Sequence, residues 1–421
     1  MRSTLGFTSQ ARQVRLPRQA SSPGSTADRV DHGSERRAPL DLAAMFGAGG
    51  CEGVRHVELA HGADAPEGSD GVMTVFWRGG WPVGHVLNGS DGVCRRVVPV
   101  GAPFDVAAAR PRATLPSASV VICTRDRPNN LERCLASFRL QTVQPTEIIV
   151  VDNASKGSQT RDVALAAGVI YVREDRPGLD VARNRGAERA AAEIVAYTDD
   201  DVVLHPCWLE ALLSAFDAPS VGAVTGLVLP AELATEAQRH FETFWSFGQG
   251  YEPRIFRAAD FAAMRNEVFP AWKIGAGASM AFRREVFAQA GLFDERLDVG
   301  QAGCSGDSEY WYRLLAHGYD CRYEPASVAF HYHRRTMEGL AGQTRSYMRG
   351  HAAALLVQHE RTGIEANLKL ALMWKPRWYL RRIAKWLLGR RAVEDRFLWQ
   401  EVAGYLSGLL FYLRSRRGET A

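Results

Sequence analysis

The chain has no uninterrupted apolar run long enough to cross a bilayer and no positive-then-apolar leader at its start. Both absences argue against integral insertion and leave surface attachment open. Seven cysteines, at 51, 94, 123, 134, 207, 304 and 321, include no C-x-x-C pair. An odd, scattered set of this kind argues against a disulfide framework and a zinc site, and for reduced thiols in a cytosolic setting. Net charge is only +4 over 421 residues, too little to imply nucleic acid, so no nucleic-acid partner is expected. There is no Gly-x-Ser-x-Gly elbow. The stretch after the first regular strand, Thr124-Arg125-Asp126-Arg127-Pro128, contains no glycine, which speaks against a G-x-G-x-x-G dinucleotide site and against a loop gripping a triphosphate.

What is present is a globular composition, 46% hydrophobic, with room for more than one domain. Residues 1–45 open with Arg, Ser, Pro, Gly and Gln and almost no large apolar side chains, so a disordered extension is expected there. Residues 46–100 change to short β-type runs. Val72–Trp77 and Val83–Leu87 flank Arg78-Gly79-Gly80-Trp81-Pro82, which predicts a hairpin within a small β-rich unit that packs on the larger domain C-terminal to it. Residues 101–117, carrying Pro103, Pro111 and Pro116, read as a linker.

From residue 118 to about 335 the pattern becomes regular. Val120–Cys123 is a strand; Pro128 opens a helix with Leu131, Cys134, Leu135 and Phe138 at i, i+3, i+4, i+7. Glu147–Val151 and Val169–Val172 are further strands, and an Ala-rich helix after Pro177-Gly178 leads to Ile194–Thr198. Strand and helix alternate, which predicts an α/β fold with a doubly wound, mostly parallel sheet. Asp152 and the triplet Asp199-Asp200-Asp201 fall at neighbouring strand ends, where ligands of such sheets bind. Acids this close repel, and a divalent cation with phosphate oxygens would offset the repulsion; the bland alternative is a solvated acidic turn. Ala231–Pro270 reads as an irregular, aromatic-rich loop covering a site. Gly306-Asp307-Ser308-Glu309 opens a helix that buries Trp311, Leu314 and Leu315, and Arg322–Pro325 and Val328–His333 are two extended segments.

Residues 336–421 turn helical and basic. Leu380, Ile383, Ala384 and Leu387 define an apolar face, with Arg381, Arg382, Lys385, Arg390 and Arg391 around it and Trp374, Trp378 and Trp386 nearby. Such a stretch suits a helix in an anionic membrane interface, or a helix packed on the catalytic domain with its charges solvated.

Between Ser119 and His333, about half the chain, the order of these blocks resembles the inverting family 2 glycosyltransferases. The blocks are Val121–Pro128, Val150–Ser155, Gly178 with Ala182–Gly186, Thr198–Asp201, Gly275–Phe282, Gly291–Glu295 and Asp307–Glu309. The resemblance implies a GT-A fold and transfer of a sugar from a nucleotide-diphosphate donor, a UDP-sugar foremost, to a hydroxyl of a glycan or lipid-linked acceptor. It implies Mn²⁺ or Mg²⁺ as cofactor and a place in cell-surface polysaccharide or glycolipid synthesis, in the cytoplasm or on the inner face of the membrane. Carried across, Thr124 and Asp152 line the nucleobase pocket, Arg183 reaches the diphosphate, Asp199 holds ribose or a water, and Asp201 ligates the metal. His331 falls at a metal or diphosphate contact, unless it is simply a hydrogen-bonded strand histidine. Asp307 matches the catalytic base, with Glu309 its rival, because the acid that usually precedes the base is here Gly306. Two other readings are a sugar-1-phosphate nucleotidylyltransferase and a non-catalytic carbohydrate-binding module on the same fold.

Overall fold

The structure, a computed structural model, describes residues 45–46, 51–60, 63–66, 71–97, 115–264 and 267–416. The expected disordered extension, through Ala44, and the linker over 101–114 lie outside the described residues.

Four strands, β1 (Val54–Glu58), β2 (Met73–Arg78), β3 (Trp81–Asn88) and β4 (Cys94–Val97), form a sheet in that order. β2 and β3 are joined by Gly79-Gly80 alone, with φ of 58° and 76°. Both residues sit in the left-handed region that a two-residue hairpin turn requires and that only glycine enters freely, so the turn is tighter than the five-residue loop read from the sequence. One face of this unit packs on the main domain. Met73, Val75, Trp77 and Leu87 share a core with Leu227, Leu229, Tyr323 and Phe330, and the Trp77 indole stacks on His205 with ring centroids 5.4 Å apart.

The main sheet has nine strands. They are β5 (Ala118–Thr124), β6 (Glu147–Asn153), β7 (Ile170–Glu174), β8 (Ile194–Asp199), β9 (Val202–Leu204), β10 (Val221–Pro230), β11 (Arg254–Phe256), β12 (Ser279–Arg283) and β13 (Asp320–His331). Their order is β11-β13-β10-β12-β8-β5-β6-β7, with β9 beside β13. The run β8-β5-β6-β7 is parallel throughout. β12 then enters antiparallel to both β8 and β10, while β10 and β13 are parallel to each other. The sheet is therefore parallel on the β5 to β8 side and mixed beyond it. Helices cover both faces, so β5 and β8 are apolar on both sides rather than alternating. The helix Pro128–Phe138 buries Leu131, Cys134, Leu135 and Phe138, the four positions of its 3.6-residue stripe.

Two stretches fold differently from their sequence reading. Ala231–Pro270 is not one irregular loop: it contains the helix Glu236–Trp245, β11 and the helix Ala258–Ala263. The first of these starts at a capping box between Thr235 and Gln238 and buries Ala237, Phe241 and Phe244, a start signal of the Thr-x-x-Gln type. Arg322–Pro325 and Val328–His331 are not two strands but one. In β13, Glu324 pairs with Gly226 and Val328 with the very next residue, Leu227. Pro325, which has no amide hydrogen to give a ladder, sits in the resulting bulge.

The C-terminal region is a packed helical unit. The helix Met337–Thr362 is capped by Thr336, whose Oγ1 accepts from the Gly339 amide, and stops at Gly363 with φ 68°. A second run, Glu365–Leu387, contains a π-helical turn at Leu370–Trp374. The last helix, Leu398–Arg416, lies along Met337–Thr362. Gly404 and Gly408 make this possible, because a Cβ at either position would run into the carbonyl oxygen of Arg345 or Arg349. Of the two arrangements open for the run Glu365–Leu387, the apolar face is not the one packed inward: Lys375 and Tyr379 are buried, while Leu380 and Leu387 are 65% and 69% exposed. Arg382, expected among exposed cations, instead holds Glu401 at 2.6 Å and Asp395 at 2.7 Å. Lys375, Tyr379 and Arg382 thus form the face turned to the rest of the helical unit.

Gly404→Ala is expected to push the two helices apart and to lower stability by about 1–3 kcal/mol, the usual cost of overpacking. Urea melts followed by tryptophan fluorescence would check this, and an unchanged midpoint would mean the helices pack more loosely than described.

Candidate active site

Strands β5, β6 and β8 end side by side, with Thr124 in register with Asp152 and Cys123 with Asp199. The turn after β8 fans the Asp triplet out. Asp200 points back into the sheet edge, where it accepts from Thr124 Oγ1 at 2.7 Å and from Arg127 at 3.0 Å. Arg127 also donates to Asp201 at 3.2 Å. Asp199 and Asp201 turn the other way, toward His331 at the end of β13, and ligand atoms of these three residues lie within 4.8 Å of one another. Burial and the neighbouring Asp201 raise the pKa of Asp199 to about 6. Burial also acts on Asp201, but His331 and Arg127 hold its carboxyl well below the usual range. Two carboxylates and one imidazole are hard and borderline donors suited to Mn²⁺ or Mg²⁺, and the repulsion between the two carboxylates is what such a cation would relieve.

A relay of buried groups orients His331. Its Nε2 faces Asp201 Oδ1 at 3.3 Å, its Nδ1 lies 3.0 Å from His333 Nδ1, and His333 Nε2 lies 3.2 Å from Glu242 Oε2. Glu242, although buried, is kept ionised by His333 and Ser246, while burial keeps His333 neutral. The carboxylate must accept, so His333 Nε2 carries its proton and Nδ1 is bare. His331 Nδ1 then donates to it, which leaves His331 Nε2 directed at the Asp199–Asp201 pair. Sequence reading found His331 but not His333 or Glu242. The i, i+2 spacing of His331 and His333 was a usable sign that they share a face of an extended segment; Glu242 had none, since it sits on the helix inside the segment read as a loop.

Across the same cavity lies Asp307, in the first turn of the helix Gly306–Ala316, where the helix dipole favours an anion. Its Oδ1 accepts from the Ser308 amide at 2.6 Å. Burial and Asp298 raise its pKa above the usual carboxylate range, against the pull of Arg183. Glu309 points elsewhere: it is fully buried, bound to Arg313 at 2.6 Å, and does not line the cavity. The glycine before Asp307 has a structural cause. A Cβ on Gly306 would collide with the carboxylate of Asp180, so an acid from the helix Leu179–Arg189 fills the space that a side chain at 306 would need. Ser305, just ahead, is held at φ 76°, a strained position for a non-glycine residue.

Arg183 is the hub of this side. Its Nη1 donates to Asp180 at 2.9 Å and to Asp298 at 2.7 Å, and its Nη2 lies beside Gly277, near Asp307. Asp152 is placed apart from the rest. It is fully buried, it accepts from Tyr171 at 2.8 Å and Arg173 at 3.0 Å, and Asn153 rather than Asp152 lines the cavity. Thr124, Arg183, Asp199, Asp201, His331 and Asp307 all open onto one cavity of about 1540 Å³, larger than one small ligand needs.

A sequence model described as glycosyl transferase family 2 matches residues 119–291, the segment that carries the Asp triplet and Arg183. This segment belongs to glycosyl transferase family 2. Its sheet, parallel from β7 to β8 with a mixed extension, agrees with the GT-A fold expected from the sequence. Among curated relatives, the glucosyl-dolichyl phosphate glucuronosyltransferase of Haloferax volcanii is 27% identical over 183 residues, 42% of this chain and 55% of that one. The pre-mycofactocin glycosyltransferase of Mycobacterium tuberculosis is 26% identical over 246 residues, 57% and 48% of the two chains. The O-antigen biosynthesis protein RfbC of Myxococcus xanthus is 29% identical over 231 residues, 52% of this chain and 17% of that one. The chain thus spans about half or less of the length of these relatives. Among solved structures, the mannosyltransferase PcManGT of Pyrobaculum calidifontis, in complex with GDP-Man and Mn²⁺, gives a TM-score of 0.45 at 19% identity, covering 76% of this chain and 91% of that one.

Two outcomes are expected from this geometry. Asp201→Ala should abolish Mn²⁺-dependent UDP binding with the fold intact, and calorimetry showing unchanged affinity would refute the cation site. Glu242→Gln, which touches neither cation nor nucleotide, should weaken Mn²⁺ binding by ~10-fold or more through loss of His331 orientation; Mn²⁺ electron paramagnetic resonance titration measures this without any turnover.

Proposed function

We propose that the protein is a metal-dependent inverting glycosyltransferase that moves a sugar from a nucleoside-diphosphate donor, a UDP-sugar, to a hydroxyl of a glycan or lipid-linked acceptor, in the assembly of cell-surface polysaccharide or glycolipid. The observation that carries this reading is the facing arrangement of the Asp199–Asp201–His331 group and Asp307 across one cavity. Asp199, Asp201 and His331 would hold Mn²⁺ or Mg²⁺, which when bound neutralises charge on the departing diphosphate.

The chain's own residues supply the rest. Asp307 takes the proton of the acceptor hydroxyl as that oxygen forms its bond to the anomeric carbon. The bond from that carbon to the diphosphate breaks on the opposite side, and the diphosphate leaves with the electron pair. No protein nucleophile intervenes, so the single displacement inverts the anomeric centre. Arg127, with its guanidinium at the Asp200–Asp201 edge, fixes the cation ligands, and Arg183 fixes the loop that carries Asp307.

The reading extends to the membrane. No helix among the described residues is long and apolar enough to cross one, yet Trp374, Leu380, Leu387, Leu388 and Trp399 are exposed on the C-terminal unit beside Arg381, Lys385, Arg390 and Arg391. An apolar strip flanked by cations suits attachment to an anionic inner leaflet, each cation contributing about 1 kcal/mol.

The direct test is a panel of nucleotide sugars assayed for hydrolysis and transfer with and without Mn²⁺. Asp307→Asn should retain donor binding and lose at least ~10²-fold in kcat. Because the Asp307 pKa is raised, its basic form is lost on acidification at a pH above the ordinary aspartate value of about 4. The wild-type kcat should fall below that pH with a slope of one in log units, and a profile flat down to pH 4 would remove Asp307 as the base. For the membrane, Leu387→Ser with Leu388→Ser should abolish co-sedimentation with anionic vesicles at low salt while donor hydrolysis persists. Equal sedimentation of the variant would show that the strip does not bind lipid.

A further inference from the structure

Sorted by the elements that carry them, the residues lining the cavity fall into two unlike halves. Around Asp201 and Asp307 it is rich in acids, and its two buried or half-buried arginines, Arg127 and Arg183, are both ion-paired. The other half of the lining comes from the helix Met337–Thr362, the run Glu365–Leu387 and the segment around Ala271–Lys273. Lys273, Arg349, Arg377 and Arg381 line the cavity there, and none of them has an ionic or hydrogen-bonding partner among the described residues. Arg349 is the most telling. Its guanidinium lies 4.8 Å from the centre of the Phe411 ring, which fixes its position, while its buried Nε has no acceptor. The buried Oε1 of Gln343, on the same helix and also lining the cavity, lacks a donor. Buried polar groups left without partners in this way are costly unless a ligand satisfies them.

The same elements bring apolar residues to the lining. Met264, Val268, Trp272, Leu355, Leu370 and Trp374 line the cavity there. Leu370, Trp374, Arg377 and Arg381 recur at i, i+4, i+7, i+11, so one face of the run Glu365–Leu387 is turned to the cavity. Its residues pass from buried Leu370 through half-exposed Trp374 to exposed Arg377 and Arg381. Leu372, Met373 and Leu380, on adjoining faces, are exposed. Apolar surface therefore continues from the cavity wall to the outside of the protein along one helical run.

Resting on the glycosyl-transfer reading for the term acceptor, we propose that this half is the acceptor subsite and that it takes a phosphate ester carried on a hydrocarbon chain. Arg349, Arg377, Arg381 and Lys273 meet the phosphate, and the chain runs over Trp272, Leu370 and Trp374 to the exposed strip. A neutral glycan would leave four cations unmatched, and a small hydrophilic anion would leave the apolar wall and its outer continuation without a role. Guanidinium groups match phosphate oxygens in both charge and fork geometry.

The test uses the full chain with Mn²⁺ and decyl phosphate, below its micellar concentration, as probe, followed by the fluorescence of the cavity tryptophans. Decyl maltoside and inorganic phosphate are the controls. Decyl phosphate is expected to bind ~10-fold or more tightly than either control, and Arg377→Gln with Arg381→Gln to weaken it by a similar factor, the loss of one to two charge-assisted hydrogen bonds. UDP affinity in Mn²⁺ should stay unchanged in that double variant. Arg349→Gln, on another helix, should weaken the probe independently. Equal binding of decyl maltoside, or of inorganic phosphate, would overturn the proposal, as would a double variant that loses UDP and keeps decyl phosphate. If UDP binds the wild type and decyl phosphate does not, only this subsite is wrong. If decyl phosphate binds and UDP does not, the phosphate site stands and the transferase reading falls.

Discussion

Five carboxylates, those of Asp199, Asp200, Asp201, Asp298 and Asp307, line one cavity, and a sixth, Asp180, lies behind them on Arg183; four of the six are buried, and Asp199 and Asp307 are half-buried. Two like charges about 4 Å apart repel by roughly 4 kcal/mol at an effective dielectric of 20, so this gathering would drive the loops apart if nothing opposed it. Arg127 opposes it on the side of Asp200 and Asp201, and Arg183 on the side of Asp180 and Asp298. His331, propped by His333 and Glu242, does so between them. What these cations leave unneutralised is concentrated at Asp199 and Asp201 and at Asp307, the points where a metal and a proton respectively would be taken up. Every other element of the domain can be described by how it brings one of these charges to its place.

The parallel strands β5, β6 and β8 supply the edge, since their side chains are buried on both faces and only their ends are free to be polar. The mixed extension through β12, β10 and β13 serves a different purpose. It carries the chain back across the sheet, so that Gly277 can admit Arg183 and Asp307 side by side and His331 can reach the Asp triplet from the far strand. The C-terminal helices then close the cavity. Their own stability comes from glycine-mediated backbone approach and from the Arg382, Glu401 and Asp395 cluster.

Much of this was legible in the order of residues. Strands β5, β6 and β8, the helix at Pro128 and the acids at the strand ends follow from local periodicity and from the preference of charged groups for strand termini. The placement of Asp199, Asp201, His331 and Asp307 on one cavity was not local, and sequence reasoning reached it through the ordered blocks of a familiar pattern. The helix Glu236–Trp245 was missed although its Thr-x-x-Gln start was in view, because the aromatic density of that segment was read as cover for a site. The inward turn of Arg382 was missed for a firmer reason: a charged residue on an amphipathic pattern reads as solvent-facing unless its partner is known, and the partners of Arg382 are 13 and 19 residues away on other elements.

What the sequence determined by itself, then, was the alternation of strand and helix and the chemical kinds at the strand ends, because both are set by neighbours within a turn or two. What only the tertiary structure decided was which charges meet. Asp180 standing where Gly306 has no side chain, Glu242 ending the chain of hydrogen bonds from His331, Asp152 sealed by Tyr171 and Arg173, and Arg382 turned inward each depend on one long-range contact. A carboxylate reads the same in a sequence whether it faces a cation, a guanidinium or water. Only the packing around it sets its partner, and the partner sets its charge and its role.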